Sequence, residues 1–225
     1  MGTRSARGSL ESEAESPAPV RLARAHRREA LLDAASALIV ANGVEAVSME
    51  SVADHAGVSR PLVYKHFANR GEMLSAVYRR EATILHNELA AKVRAARSLE
   101  DMYRTLVRAA FRASSERGRL FRALRSAGAW NPQLRRVQEA RDRDTVRFFA
   151  QRAAVEFGVP IVDAEAATAM LLTALESALA QFRARRPGAT AALLEETYLD
   201  IMLGGLERLA ARTAPRRAKA AGGSR

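Results

Sequence analysis

Apolar residues recur at helical spacing along most of the chain, and the breaks between them predict nine helices. Asn42 and Gly43 end the first periodic stretch, because both residues tolerate the left-handed backbone at a helix end. A first helix is therefore predicted over about 24–41. Its apolar stripe follows the i, i+3, i+4, i+7, i+8 pattern of one buried face: Leu31, Ala34, Ala35, Leu38 and Ile39.

Capping and turn residues divide the rest of the chain into further helices. Ser48, Ser59 and Asn69 are placed to cap three helix starts, and Gly57 lies between the first two of these helices. β-branched residues rarely cluster, so the sequence predicts an all-α protein. The remaining helices are predicted over about 48–57, 59–67, 69–95, 99–117, 119–127, 133–157, 162–184 and 190–212.

Composition separates the two ends of the chain from its centre. Residues 1–23 are rich in Ser, Gly, Glu and Pro, and residues 214–225 read APRRAKAAGGSR. Both ends lack large apolar residues, so disordered tails are expected there. Between them we predict a DNA-binding domain over 24–70 and an effector-binding and dimerisation domain over 71–213. Hydrophobic residues make up 48% of the chain, enough for a packed core.

Several classes of protein are excluded or disfavoured by what the sequence lacks. The chain has no cysteine, so disulfides and Cys-based zinc sites are impossible. It has no phosphate-binding glycine loop, no His-Glu-x-x-His and no Gly-x-Ser-x-Gly. None of the four histidines follows a Glu by three residues, which excludes the usual helical di-iron site. We therefore expect no enzyme, no catalytic residue, no metal and no cofactor.

The charge of the chain favours a nucleic-acid partner, and its lack of a long apolar run favours a cytoplasmic location. No run approaches the roughly 18 apolar residues that span a bilayer, and no secretory signal is present, so we expect a cytoplasmic protein without a membrane partner. The net charge of +11 suggests a polyanion. Much of the excess lies at the two ends, 1–28 and 214–225, which either contact DNA or serve only as solvated tails.

Residues 48–67, SMESVADHAGVSRPLVYKHF, have the pattern of a DNA-binding helix-turn-helix. Ala53 is small enough for close helix packing, Gly57 permits a turn with positive φ, and Val58 is apolar and fits the core. The third helix then presents a polar face with basic groups and no acid. The candidate DNA-binding residues are Ser48, Ser59, Arg60, Pro61, Tyr64, Lys65, His66 and Arg70.

Within this set we expect a division between base reading and phosphate binding. Arg60 lies near the start of the recognition helix, and its guanidinium can donate two hydrogen bonds to a guanine edge. Lys65 and Arg70 lie further along and are expected to hold phosphates, as are Tyr64 and His66.

The segment 27–75 resembles the TetR (tetracycline-repressor) family of bacterial regulators. The resemblance rests on the stretches ANGVEAVSMESVA and AGVSRPLVYKHFANRGEML, with the glycine turn, the Tyr-x-His-Phe pattern and a basic residue opening the fourth helix. It implies a three-helix DNA-binding domain on a larger helical domain that binds a small effector and dimerises. Glu50 departs from this pattern, since a carboxylate there would repel phosphate.

Residues beyond 75 carry no family signature, and their candidate roles come from polarity alone. Aromatic and Met side chains could line an apolar ligand pocket, although for any single one ordinary core packing is the favoured interpretation. Glu176 could orient the ligand or could be exposed. The candidate lining residues are Phe111, Phe121, Trp130, Phe148, Phe149 and Met170.

Two stripes on the last helices favour a homodimer, with intramolecular packing as the alternative. One contains Ala166, Ala169, Met170, Thr173 and Ser177, and the other contains Leu194, Thr197, Tyr198, Ile201 and Gly205. The sequence as a whole predicts a repressor that a small, largely apolar ligand releases from a palindromic double-stranded operator. The alternative is a sequence-neutral architectural DNA-binding protein.

Overall fold

The computed structural model describes residues 18–112, 116–185 and 190–222, and nine α-helices with one 3₁₀ turn form these ranges. The prediction of an all-α fold is confirmed. The helices are α1 (Ala18–Asn42), α2 (Met49–Ala56), α3 (Arg60–Tyr64), α4 (Arg70–Ala95), α5 (Leu99–Arg112), α6 (Glu116–Ala127), α7 (Pro132–Phe157), α8 (Ile161–Arg185) and α9 (Thr190–Gly222), and the 3₁₀ turn is Val44–Ala46.

Several predicted helix boundaries differ from the structure, including the end of α3, which lies at Tyr64 and not at residue 67. α1 begins at Ala18 and α9 extends to Gly222, so both helices enter stretches predicted to be disordered. Ala, Arg and Lys favour helix over other states, and they dominate the sequence after Ala214. The predicted helix over 99–117 ends at Arg112, and α6 includes Gly118, a residue that a helix tolerates at a cost of about 1 kcal/mol. Residues 1–17 and 223–225 lie outside the described ranges.

A first hydrophobic cluster surrounds α2 and α3 and fixes their orientation. Val52 and Val63 are fully buried in it, facing the apolar stripe of α1. The cluster also contains Tyr78 from α4, Leu124 from α6 and Leu134 from α7. The packing that supports the helix-turn-helix therefore continues past residue 70 into the predicted effector domain.

A second cluster lies among α5, α7, α8, α9 and the end of α4. Tyr103, Phe149, Leu199 and Met202 are buried in it. α4 contributes residues to both clusters, with Val77 in the first and Val93 in the second. This single helix thus connects the support of the helix-turn-helix to the C-terminal helices.

Candidate nucleic-acid interface

The turn between α2 and α3 is built by local signals in the sequence. The Ser48 hydroxyl accepts a hydrogen bond from the Ser51 backbone N–H at 2.9 Å, and the Ser51 hydroxyl accepts one from the Ser48 N–H at 2.8 Å. Gly57 ends α2 with φ 65°, a left-handed conformation that a side chain would strain. Asn69 caps α4 by accepting from the Glu72 N–H at 2.9 Å. The predicted caps at Ser48 and Asn69 are confirmed.

The outer face of α3 is exposed while its inner face is anchored. Val63 and Phe67 are buried in the first cluster, which holds the short helix against α1 and α2. Ser59 occupies the N-cap position of α3 with an extended backbone, but its side chain makes no cap hydrogen bond, so the predicted Ser59 cap is wrong. Five of the predicted DNA-binding residues are exposed: Ser59, Arg60, Pro61, Tyr64 and Lys65.

Arg60 is paired with the acidic residue that departs from the family pattern. Its Nη1 lies 2.6 Å from Glu50 Oε1, and both side chains are more than half exposed. The pair joins α2 to α3 across the turn. An exposed ion pair contributes roughly 0–1 kcal/mol, so DNA can displace Glu50 from Arg60 at little cost. The sequence contained both residues but gave no sign that they meet.

Arg70 does not extend into solvent as a phosphate-binding residue would. Its Nε donates to the Val47 carbonyl at 2.6 Å and its Nη2 to the Val44 carbonyl at 2.9 Å. The guanidinium also lies 4.8 Å from the centroid of the Trp130 ring. The predicted phosphate contact is therefore corrected to a structural role, because the donors of Arg70 tie α4 to the segment before α2.

His66 lies between α3 and a set of arginines on α1. Partial burial lowers its pKa, and the charges of Arg24, Arg27 and Arg28 lower it further. The Arg28 guanidinium lies 4.9 Å from the centroid of the neighbouring Phe67 ring. The sequence reasoning did not connect these arginines with the recognition helix, although their spacing of three and four residues on α1 could have suggested a shared face.

Comparison of the sequence with known proteins finds a family match over the helix-turn-helix segment. Residues 31–77, from α1 to the start of α4, match the sequence model of the bacterial regulatory proteins of the tetR family. The HTH-type transcriptional activator FasR of Mycolicibacterium smegmatis is 37% identical over 91 residues, which are 40% of this chain and 42% of FasR. The similarity to the tetR family is therefore shown for residues 31–77. The match spans less than half the length of FasR.

The whole fold also resembles those of solved proteins. A transcriptional regulator of Pseudomonas aeruginosa PAO1 superposes with a TM-score of 0.67 and 19% identity, covering 85% of this chain and 99% of that one. The SmeT–triclosan complex superposes with a TM-score of 0.62 and 25% identity, covering 80% of this chain and 91% of SmeT. The helices beyond the helix-turn-helix therefore share an architecture with these proteins despite low identity.

The structure does not bring the predicted ligand-lining residues together. Phe121 stacks on Tyr78 in the first cluster, with ring centroids 5.3 Å apart. Trp130 is 46% exposed beside Arg70. Phe148 and Met170 are exposed, whereas Phe149 is buried in the second cluster, and the side chain of Phe111 lies outside the described residues. The predicted lining is wrong as a set, because these side chains face different neighbours.

Glu176, predicted to orient a ligand or to be exposed, is held in an ion pair at the surface. It accepts two hydrogen bonds from Arg125 Nη2, each at 2.8 Å, while the Arg125 Nη1 binds Asp142. Glu176 is exposed, as the alternative interpretation expected. Its carboxylate links α8 to α6 and α7.

The second cluster contains polar groups that the sequence reasoning overlooked. The hydroxyls of Tyr103 and Tyr198 are buried and have no hydrogen-bond partner among the described residues. Buried Thr168 approaches the Tyr103 hydroxyl without reaching hydrogen-bond geometry. Burial raises the pKa of Tyr103 to about 12, and burial also raises the pKa of Tyr198. An unpaired buried hydroxyl costs about 1–3 kcal/mol, so a partner for it would be favourable.

The described ranges contain neither a cluster of metal-ligating side chains nor a membrane-spanning helix. In them, no group of three or more His, Asp or Glu side chains is arranged to hold a metal ion. None of the helices in these ranges is both long and apolar enough to cross a membrane.

Proposed function

We propose that this chain is a transcriptional regulator that inserts α3 into the major groove of double-stranded DNA. The observation that carries the proposal is the exposed face of α3, with Arg60, Tyr64 and Lys65 projecting from a helix whose other side is fixed in the core. Residues near the start of a recognition helix contact base edges in this motif. Arg60 is therefore the proposed base-reading residue, and Lys65 the proposed phosphate contact.

The proposed regulator acts as a homodimer through α8 and α9. These helices pack against each other, and each presents small or apolar residues to solvent in the single chain. Met170 on α8 is 72% exposed and Ile201 on α9 is 64% exposed. A second copy would cover this surface and would place two α3 helices in successive major grooves, about 34 Å apart. Of the stripe residues predicted from the sequence, Tyr198 faces inward instead, and the side chain of Leu194 lies outside the described residues.

The effector that we propose is small and largely apolar, and it binds within the second cluster. The unpaired hydroxyls of Tyr103 and Tyr198 supply two donors in otherwise apolar surroundings. An apolar molecule with one acceptor group could satisfy them. SmeT, which has the same fold, was solved in complex with triclosan. A ligand causes the protein to release DNA only if it binds better to a conformation in which the spacing of the two α3 helices does not match successive major grooves.

The proposed effect on transcription is repression that the effector relieves. A dimer bound to a palindromic operator can block access of the polymerase, and release then restores transcription. FasR is an activator, but its match to this chain covers only 91 residues, which are 42% of FasR. A reporter gene downstream of the selected operator tests the sign: repression predicts a lower signal with the protein present and recovery on adding ligand.

Enrichment of duplexes from a random pool by the full-length protein tests the DNA-binding function. We expect an inverted repeat to emerge and to bind at least about 10³-fold more tightly than a scrambled duplex at physiological salt. A matched control is Arg60→Ala, which should enrich a repeat with one degenerate position. A pool that remains random while the protein binds every duplex equally would favour the architectural DNA-binding alternative.

A further inference from the structure

We propose that Arg24 and Arg27 on α1 form a second contact with the DNA backbone, beside the one made by α3. This proposal rests on the proposed DNA-binding function. The two arginines would contact phosphate oxygens and not the bases. This contact would place an arginine-bearing face of α1 on the phosphates flanking the groove that α3 enters.

The position of this face is fixed by Arg28. Its guanidinium lies 4.9 Å from the centroid of the Phe67 ring, and Phe67 is buried directly after α3. This contact holds the second and third turns of α1 against the end of the recognition helix. Arg28 is half-buried and engaged with the ring, so it serves as the anchor of the face.

Arg24 lies on the same side of α1 as this anchor. Residues three and four positions apart are neighbours on a helix surface, so Arg24 adjoins both Arg27 and Arg28. Arg24 and Arg27 are exposed, and neither forms an ion pair with any residue in the described ranges. The acidic residues that follow on α1, Glu29 and Asp33, are both engaged by Arg80. The positive charge of the face is therefore not neutralised by its own helix.

His66 provides independent support that the two elements share one electrostatic environment. Partial burial is the largest cause of the lowered pKa of the imidazole, and the charges of Arg24, Arg27 and Arg28 lower it further. Exposed Lys65 adds a further charge next to it. A run of DNA phosphates fits such a surface, because each neutralised phosphate releases condensed counterions and adds to affinity without regard to sequence.

The test compares two double variants that lose the same charge. Arg24→Ala/Arg27→Ala removes the proposed contact, and Lys92→Ala/Arg94→Ala removes two exposed positive side chains near the far end of α4, roughly 30 Å along that helix from Arg70. Binding is measured on the selected operator and on a scrambled duplex, between about 50 and 200 mM salt.

For Arg24→Ala/Arg27→Ala we expect the slope of log affinity against log salt to become shallower by about two. Affinity should fall by about tenfold on both duplexes, which leaves their ratio unchanged. The Lys92→Ala/Arg94→Ala protein should keep the slope of the unmodified chain. Arg24→Lys/Arg27→Lys should restore the slope, since lysine also neutralises a phosphate, and this rescue separates charge from helix stability.

Three results would overturn the inference, and they differ in what they imply for the proposed function. If the unmodified protein binds operator but Arg24→Ala/Arg27→Ala has the same slope, the α1 contact is refuted and the proposed function stands. If the unmodified protein binds neither duplex even at low salt, the proposed function fails and the α1 contact fails with it. A slope reduced equally in both double variants would also refute the contact, because net charge alone would then explain it.

Discussion

The two hydrophobic clusters of this protein differ in whether the polar groups in and around them have hydrogen-bond or ion-pair partners. Around the first cluster, Arg70 donates to two backbone carbonyls and Arg80 binds two carboxylates on α1. The second cluster buries the hydroxyls of Tyr103 and Tyr198 without a partner among the described residues, and the helices around it expose Met170 and Ile201.

This difference indicates a division of labour along the chain. The first cluster is a self-sufficient scaffold that holds α3 in one orientation, as a DNA reader requires. The second cluster has two hydroxyl donors that find no acceptor among the described residues, and its outer helices expose apolar side chains to solvent. We interpret these features as places for a ligand and for a second protomer, which the following changes can test.

The largest effect is expected from Ile201→Arg on the exposed face of α9. An arginine there would bury an unpaired charge in the dimer, so we expect monomers in light scattering. Because a monomer loses the second binding event, operator affinity should fall by more than about 100-fold. Val155→Arg, at a position 81% exposed on α7, is the control and should remain dimeric. A monomeric unmodified protein would contradict the proposed dimer.

The next effect separates Arg70 from Lys65, which the sequence grouped together. Arg70→Ala removes two charge-assisted hydrogen bonds to Val44 and Val47 and should lower the free energy of unfolding by about 2 kcal/mol. Lys65→Ala should leave stability unchanged and should reduce the salt slope of DNA binding by about one. Urea denaturation and binding titrations check the two outcomes. If Arg70→Ala unfolds like the unmodified protein, its inward contacts are not stabilising.

A smaller effect of opposite sign is expected in the second cluster. Tyr103→Phe removes an unpaired buried hydroxyl and should stabilise the protein by about 1 kcal/mol, whereas Tyr64→Phe at the exposed face of α3 should change nothing. The pKa of Tyr103 is raised to about 12, so its unfolded form ionises first above pH 10. Stability should therefore fall between pH 10 and 12, and less steeply in Tyr103→Phe. Destabilisation at neutral pH would show that the hydroxyl is paired.

The smallest effect concerns Glu50, which pairs with Arg60 across the turn. Glu50→Gln removes a carboxylate close to the DNA surface and frees the guanidinium. Since exposed ion pairs are weak, we expect affinity for a scrambled duplex to rise only about threefold. Glu100→Gln, whose carboxylate pairs with Arg104 on α5, is a control that should leave DNA affinity unchanged. Weaker binding by Glu50→Gln would mean that Glu50 orients Arg60 instead of competing for it.

The sequence predicted the helix-turn-helix well because its signals are local. The Ser48 cap, the positive φ of Gly57 and the Asn69 cap depend on residues at most a few positions away. Arg70 was misassigned because its partners Val44 and Val47 lie 26 and 23 residues earlier. Side-chain type alone showed that it was basic, but not which way it pointed.

The ligand-lining residues were misassigned for a related reason. Which cluster Phe121 or Phe149 enters depends on how α6 and α7 pack against helices distant in sequence, and helical periodicity does not determine this. The buried hydroxyls that have no partner among the described residues belong to Tyr103 and Tyr198. These two residues are 95 positions apart in sequence, but their ring centroids are 6.1 Å from each other. A tyrosine on an apolar helix face gives no sequence signal that its hydroxyl lacks a partner.

The most direct measurement for the proposed role of α3 is the binding of Arg60→Ala to the selected operator and to a scrambled duplex. If Arg60 reads a guanine, operator binding should weaken by about 1–3 kcal/mol, preference at one base position should relax, and scrambled-duplex binding should change far less. Equal loss of affinity on both duplexes would contradict base reading by Arg60 and would reduce it to a phosphate contact.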